Sequence, residues 1–152
     1  MYLTTDYRDL IELFNRHKVK YLLVGAHAMA VFGHARSTYD IDIWIEREKE
    51  NATRIVKALE EFGLPFELDE NAFTAKEQIV QIGIAPNRID LLTDIDGVEF
   101  SEAWERRKDI ELDGMKVHIL SAEDIVRNKV ASGRPKDRID AEMMKQLLQK
   151  DR

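Results

Sequence analysis

Two aspartates one residue apart, Asp40 and Asp42 in "YDIDIWI" (residues 39–45), stand in an otherwise apolar run. In an extended chain successive side chains point to opposite faces, so both carboxylates share a face about 6.6 Å apart along the strand, while Ile41 and Ile43 point the other way. Like charges that close repel and are not tolerated unpaired in an interior, so a shared Mg²⁺ is a natural compensation. Magnesium keeps waters and takes phosphate oxygens as further ligands. Upstream, "VGAHAMAVFG" (24–33) offers the other half of such a site. Gly25 lets the backbone approach a ligand closely, and the N–H groups of Ala26, His27 and Ala28 would open a helix where the dipole favours anions. Arg36, Ser37 and Thr38, in the turn just ahead of the aspartates, add a guanidinium fork and two hydroxyls aimed at the same phosphates.

The elements that must position these groups follow from periodicity. Thr5 or Asp6 is expected to cap a first helix with Leu10, Ile11, Leu13 and Phe14 at helical spacing, running out near His17 to Val19. Tyr21 to Val24 reads as a buried strand, Ala26 to Phe32 as two helical turns closed by Gly33, and Asp40 to Ile45 as a second strand. An amphipathic helix fits 47–62, with Ile55, Val56, Leu59 and Phe62 inward and Gly63 near its end. Residues 66–77 carry no readable period. Gln78 to Ile84 and Arg88 to Leu92 read as strands joined through Ala85, Pro86 and Asn87, and Phe100 to Arg107 as a short helix. Asp113-Gly114 marks a hairpin between Ile110–Leu112 and Met115–Ile119. Ser121 caps a helix to about Ser132 that Gly133 ends, and Pro135 opens a last helix with Ile139, Met143 and Leu147 expected inward.

Alternating helices and strands predict an α+β (α/β) fold, a short mixed sheet flanked by helices. A length of 152 residues with 44% hydrophobic content suits a single domain over 1–152, with a core at about 20–120 and C-terminal helices at about 121–150. The absence of cysteine excludes disulfides and thiolate zinc sites, and no signal or membrane-spanning run is present, so a cytoplasmic protein is expected. A net charge of −6 argues against coating nucleic acid by bulk electrostatics but allows a local acidic metal site. The histidines, His17, His27, His34 and His118, lack metal-ligand spacing.

The segment Val24 to Ile45 resembles the signature of the nucleotidyltransferase superfamily with the DNA polymerase beta-like fold, in which glycine at a helix start precedes an Asp-x-Asp strand. "HILSAEDIVRNKVASGRPKDRIDAEMM" (118–144) is similar to the downstream stretch of small bacterial nucleotidyltransferase-like proteins related to the AbiEii and MenT toxins. The resemblance implies metal-dependent transfer of a nucleoside monophosphate from an NTP to a hydroxyl, with Mg²⁺ or Mn²⁺ as cofactor. It implies a third carboxylate on a later strand, for which Asp90 in "NRIDLLT" is the candidate and Asp94 and Asp96 are weaker ones. In that scheme Asp40, Asp42 and Asp90 hold metal and carry catalysis, Gly25 and Ala26 take phosphate, and Lys129 and Arg134 contact nucleotide or acceptor phosphates. The implied partners are a nucleotide, an RNA, protein or small-molecule acceptor, and a cognate antitoxin or other partner chain.

Plainer readings stand beside these. An Asp-x-Asp strand can be solvated surface, Arg88 and Asp90 can form a strand-edge ion pair, and the charges from Lys129 to Asp140 can lace an exposed helix. Ala26 stands where the family has Gly or Ser and removes a hydroxyl, which favours a module that holds nucleotide without transferring it. Active transferase, binding module and member of a toxin–antitoxin pair are therefore the three function classes.

Overall fold

The computed structural model describes residues 3–35 and 38–150. The chain opens with α1 (Thr5–Arg16), whose N-terminus is capped by Thr4, one residue before the expected position; its hydroxyl accepts from the Tyr7 N–H. Then come β1 (Tyr21–Val24), α2 (Gly25–Val31), β2 (Asp40–Ile45) and α3 (Lys49–Phe62), which starts two residues later than its periodicity suggests. Gly63 closes α3 in the left-handed conformation. The unreadable stretch holds a short 3₁₀ turn (Glu70–Phe73) that anchors a fully buried Phe73.

Strands β3 (Ile79–Ile82) and β4 (Arg88–Leu92) follow; β3 is shorter than expected and ends before Gly83, whose φ of 77° turns the chain. After α4 (Phe100–Arg106), β5 (Lys108–Leu112) and β6 (Met115–Ile119) form the hairpin, with Asp113 and Gly114 both at positive φ. Ser121 caps α5 (Ala122–Ser132) through the Asp124 N–H, Gly133 ends it in the left-handed conformation, and α6 (Pro135–Lys150) completes the described chain.

The six strands form one mixed sheet in the order β3-β4-β2-β1-β6-β5. Within it β1 runs antiparallel to β2, β2 parallel to β4, and β1 parallel to β6. Helix α1 packs on α3, and α5 packs on both α2 and α6. Ile41, Ile43, Ile89 and Leu91 are buried to 1% exposure or less and fix the strand faces, turning Asp40, Asp42, Arg88 and Asp90 to the other side. None of the helices described is long and apolar enough to cross a membrane.

One face assignment is corrected. On α6, Ile139 is 67% exposed and Met143 40% exposed, and Leu147 is only partly covered, while Asp137, Asp140, Ala141 and Met144 are buried. The reason is electrostatic: α5 presents a buried Lys129, and α6 turns its acids rather than its isoleucine toward it. Met144→Ala should therefore cost about 2–4 kcal/mol in urea denaturation, and Ile139→Ala less than about 0.5 kcal/mol. Equal losses would contradict this orientation of the helix.

Candidate functional site

The site begins with strand register. In the parallel β2/β4 pair Asp42 lies opposite Asp90 and Asp40 opposite Arg88, while in the antiparallel β1/β2 pair Val24 lies opposite Asp42. Asp40, Asp42 and Asp90 each offer a carboxylate oxygen within 4.8 Å of the others, the single such group of potential metal ligands among the described residues. Three hard oxygen donors suit Mg²⁺ or Mn²⁺, with positions left for water and phosphate.

Chain geometry presses on this cluster. β1 ends at Val24 and the chain turns at once into α2 through Gly25 at φ 70°. A Cβ at residue 25 would stand 2.5 Å from Asp42 Oδ2, so only glycine lets the backbone pass so close to that carboxylate. Gly25→Ala is accordingly expected to lower stability by more than about 1 kcal/mol in thermal or chemical denaturation.

The three carboxylates are compensated unequally. Arg88 Nε donates to Asp90 Oδ1 at 2.9 Å, and its Nη2 donates to Asp90 Oδ2 at 3.0 Å and to Asp40 Oδ2 at 2.7 Å. Thr38 Oγ1 donates to Asp40 Oδ1 at 2.9 Å. Burial, reinforced by the charges of Asp40 and Asp90, raises the pKa of Asp42 to about 6 in spite of Lys129 and Arg88. The Tyr7 hydroxyl lies 3.0 Å from the Pro86 carbonyl and 3.2 Å from that of Arg88, tying α1 to the start of β4. Its own pKa is raised by burial and by the three nearby acids. His27 packs edge-on against Tyr7, and burial lowers its pKa, favouring the neutral ring.

A cavity of about 640 Å³ opens over the cluster, lined by Gly25, Ala26, Thr38, Asp40, Asp42, Arg88, Lys129 and Arg134 among others. Lys129 is 8% exposed, with its ammonium 3.3 Å from Asp137 and 3.6 Å from Asp140. Arg134 donates from Nε to Asp137 at 2.9 Å but leaves its side chain 74% exposed. Ser132 and His34 complete the surround, through Asp137 at 2.6 Å and Asp140 at 3.1 Å respectively. Asp137 and Asp140 are thus buried partners of Lys129 and not part of an exposed ladder.

Of the residues singled out from sequence, the structure brings Asp40, Asp42, Asp90, Gly25, Ala26, Thr38, Lys129 and Arg134 to one locality, while Arg36 and Ser37 lie outside the described residues. Asp94 accepts from the Glu77 N–H and pairs with Arg47, apart from the cluster, and Asp96 is not in it. Lys136, from the same charged cluster as Lys129 and Arg134, also lines the cavity, and sequence reasoning missed two features: Tyr39 on the cavity wall, and Arg88 spanning two carboxylates. The Arg-x-Asp spacing of β4 carried the last signal, since it puts both side chains on the face that Asp40 shares.

Residues 3–150 match the profile of a family described as "Nucleotidyltransferase of unknown function (DUF6036)", and the chain belongs to that family. A candidate nucleotidyltransferase from Thermotoga maritima superposes with a TM-score of 0.58 at 21% identity, over 95% of this chain and 91% of the other. ANT(2")-Ia, solved with adenylyl-2"-tobramycin, gives 0.55 at 14% identity, over 91% of this chain and 84% of its own. An antigenic nucleotidyltransferase-like protein from Paracoccidioides brasiliensis gives 0.53 at 18% identity, over 91% and 74% respectively. At these identities the likeness is one of fold. No curated protein sequence matches the chain significantly.

The raised pKa of Asp42 has a measurable consequence. An unfolded aspartate titrates near 3.9, so between that value and about 6 the folded chain holds more protons than the unfolded one, and stability falls as pH rises through this window. In EDTA, thermal melts of the wild type should lose Tm from about pH 4 to pH 6 by this route. Asp42→Asn should flatten that component and be the more stable protein near neutrality. A variant retaining the full wild-type slope would remove Asp42 as its source.

Proposed function

We propose that this chain is a metal-dependent nucleotidyltransferase that moves a nucleoside monophosphate from an NTP to an acceptor hydroxyl. The observation that carries the proposal is the convergence of Asp40, Asp42 and Asp90 within 4.8 Å of one another beside a cavity walled on its other side by Lys129 and Arg134. Asp40, Asp42 and Asp90 would hold Mg²⁺ or Mn²⁺. When bound, such a cation stabilises charge on the attacking and leaving oxygens of an in-line displacement. The chain's own groups do the rest.

Gly25 and Ala26 offer backbone N–H groups to phosphate oxygens, and the missing side chain at Gly25 leaves room for the Asp42 carboxylate. Lys129, set by Asp137 and Asp140, and the more exposed Arg134 neutralise the triphosphate; Arg36, Ser37 and Thr38 belong to the same cradle on the sequence pattern. The acceptor oxygen bonds to the α-phosphorus as the bond to the pyrophosphate oxygen breaks, and the acceptor's proton passes to a carboxylate of the cluster, for which Asp90 is the candidate. Residues 1–152 act as one such unit, in the cytoplasm where NTPs are supplied. Within this scheme we place the chain near the AbiEii- and MenT-like proteins, because Lys129 and Arg134, from the segment that carries that resemblance, face the same cavity as the acids. An RNA or protein acceptor and a neutralising partner chain go with that placement.

Labelled NTPs, supplied with Mg²⁺ and pools of RNA, protein and small hydroxyl compounds, test the proposal. Transfer is expected with the wild type and should fall at least about 100-fold in Asp42→Ala. Nucleotide binding with no transfer to any pool would instead favour a binding module, the alternative raised by Ala26. Growth arrest on expression, relieved by the adjacent reading frame, would support the toxin assignment, and harmless expression would count against it.

A further inference from the structure

We propose that Arg88 is an internal counter-cation that competes with the divalent metal for Asp40 and Asp90, and so makes metal and nucleotide bind as a pair. The inference rests on the nucleotidyltransferase proposal and adds a role for a residue outside its catalytic set.

The geometry is specific. A single guanidinium satisfies both oxygens of Asp90 and one oxygen of Asp40, at 2.7–3.0 Å. The other Asp40 oxygen accepts from Thr38. These carboxylates, with Asp42, form the group of potential metal ligands. Bidentate arginine–carboxylate pairing is the strongest neutralisation a side chain can give, and its planar donors fix both acids at once. A cation that takes oxygens from Asp40 and Asp90 therefore meets acids already neutralised by a fixed positive charge, and its apparent affinity is lowered by that repulsion and by whatever share of the hydrogen bonding it takes.

A divalent cation on these acids leaves the guanidinium less well neutralised and in need of an anion. Arg88 is 34% exposed and lines the cavity together with Lys129, Arg134 and Lys136, the side where a triphosphate would lie. A phosphate offers the same bidentate geometry as a carboxylate. Metal alone sets a second positive charge beside Arg88 without an anion to balance it, and nucleotide alone meets a guanidinium already engaged. Metal and nucleotide together satisfy all the groups involved, which is a positive coupling between two ligands.

Mn²⁺ binding followed by electron paramagnetic resonance tests this without reference to turnover. The wild type should bind Mn²⁺ weakly alone and about tenfold or more tightly with a non-hydrolysable NTP analogue. Arg88→Met should bind Mn²⁺ alone more tightly than the wild type, and the gain from added analogue beyond what Mn²⁺–analogue association itself gives should largely vanish. Arg88→Gln, which keeps one hydrogen bond to the cluster, serves if the methionine variant does not fold, as judged by circular dichroism. Mn²⁺ affinity unchanged or weakened in a folded Arg88 variant would overturn the proposal, as would undiminished coupling. Asp42→Asn separates this from the underlying reading: Mn²⁺ bound equally by that variant and the wild type would remove the metal site itself, whereas loss in Asp42→Asn with no gain in the Arg88 variants would remove only the role of Arg88.

Discussion

Sheet register is the constraint on which the rest depends. Asp42 is the partner of Asp90 on one side and of Val24 on the other, and strand period two makes that arrangement all or none. A slip of one residue would send Asp40 and Asp42 into the core and expose Ile41 and Ile43. The buried isoleucines therefore do more than fill space: the apolar burial that stabilises β2 and β4 is what holds three negative charges near one another. The turn at Gly25 depends on the same register, because β1 delivers the backbone to the side of Asp42, where a side chain would collide.

Charges gathered in this way cost stability, and the surroundings show how the cost is contained. Arg88 answers Asp90 and Asp40, while Asp42 is left to partial compensation from more distant cations and carries a raised pKa. A second assembly inverts the pattern, with buried Lys129 held between Asp137 and Asp140. Buried ion pairs are weak contributors to net stability, since desolvation offsets most of their attraction. Well-packed apolar residues at the α5–α6 contact would serve folding at least as well. What the charges supply instead is position: Lys129 stands at the cavity wall with its ammonium fixed from behind.

The strands and caps were the most legible parts of the sequence. Tyr21–Val24, Asp40–Ile45 and Arg88–Leu92 show clear apolar runs, and Ser121, Gly133, Pro135 and the Asp113-Gly114 turn carry local signals that tertiary packing did not override. The 66–77 stretch was opaque because a lone Phe73 anchors it, and one buried residue has no period. The face of α6 was misjudged for a related reason. Hydrophobic spacing assumes that the buried side is apolar, and here an ammonium on the neighbouring helix draws two aspartates inward and leaves Ile139 in solvent. At the candidate site, the shared face of Asp40 and Asp42 followed from strand geometry alone, but the pairing of β2 with β4 is long-range and invisible to it; Asp90 came from family resemblance. Arg88 was seen only as a neighbour of Asp90, because its contact with Asp40 exists only once the strands are paired.

Ala26, the residue most at odds with the family pattern, acquires a different weight from this distribution of charge. A hydroxyl at that position would add one neutral hydrogen bond to a phosphate. The cavity already has Arg88, Lys129, Arg134 and Lys136 on its walls, interleaved with Asp40, Asp42 and Asp137. Charge-assisted hydrogen bonds are roughly twice as strong as neutral ones, so the loss of a single hydroxyl is small against that set. The same walls discriminate by charge. A free anion would meet the acids, of which Asp42 is the least compensated, a free cation would meet the arginine and lysines, and an ion pair of divalent metal with polyphosphate would present each sign to its opposite. Under the proposed function, a cavity walled in this way would favour the complex over either component.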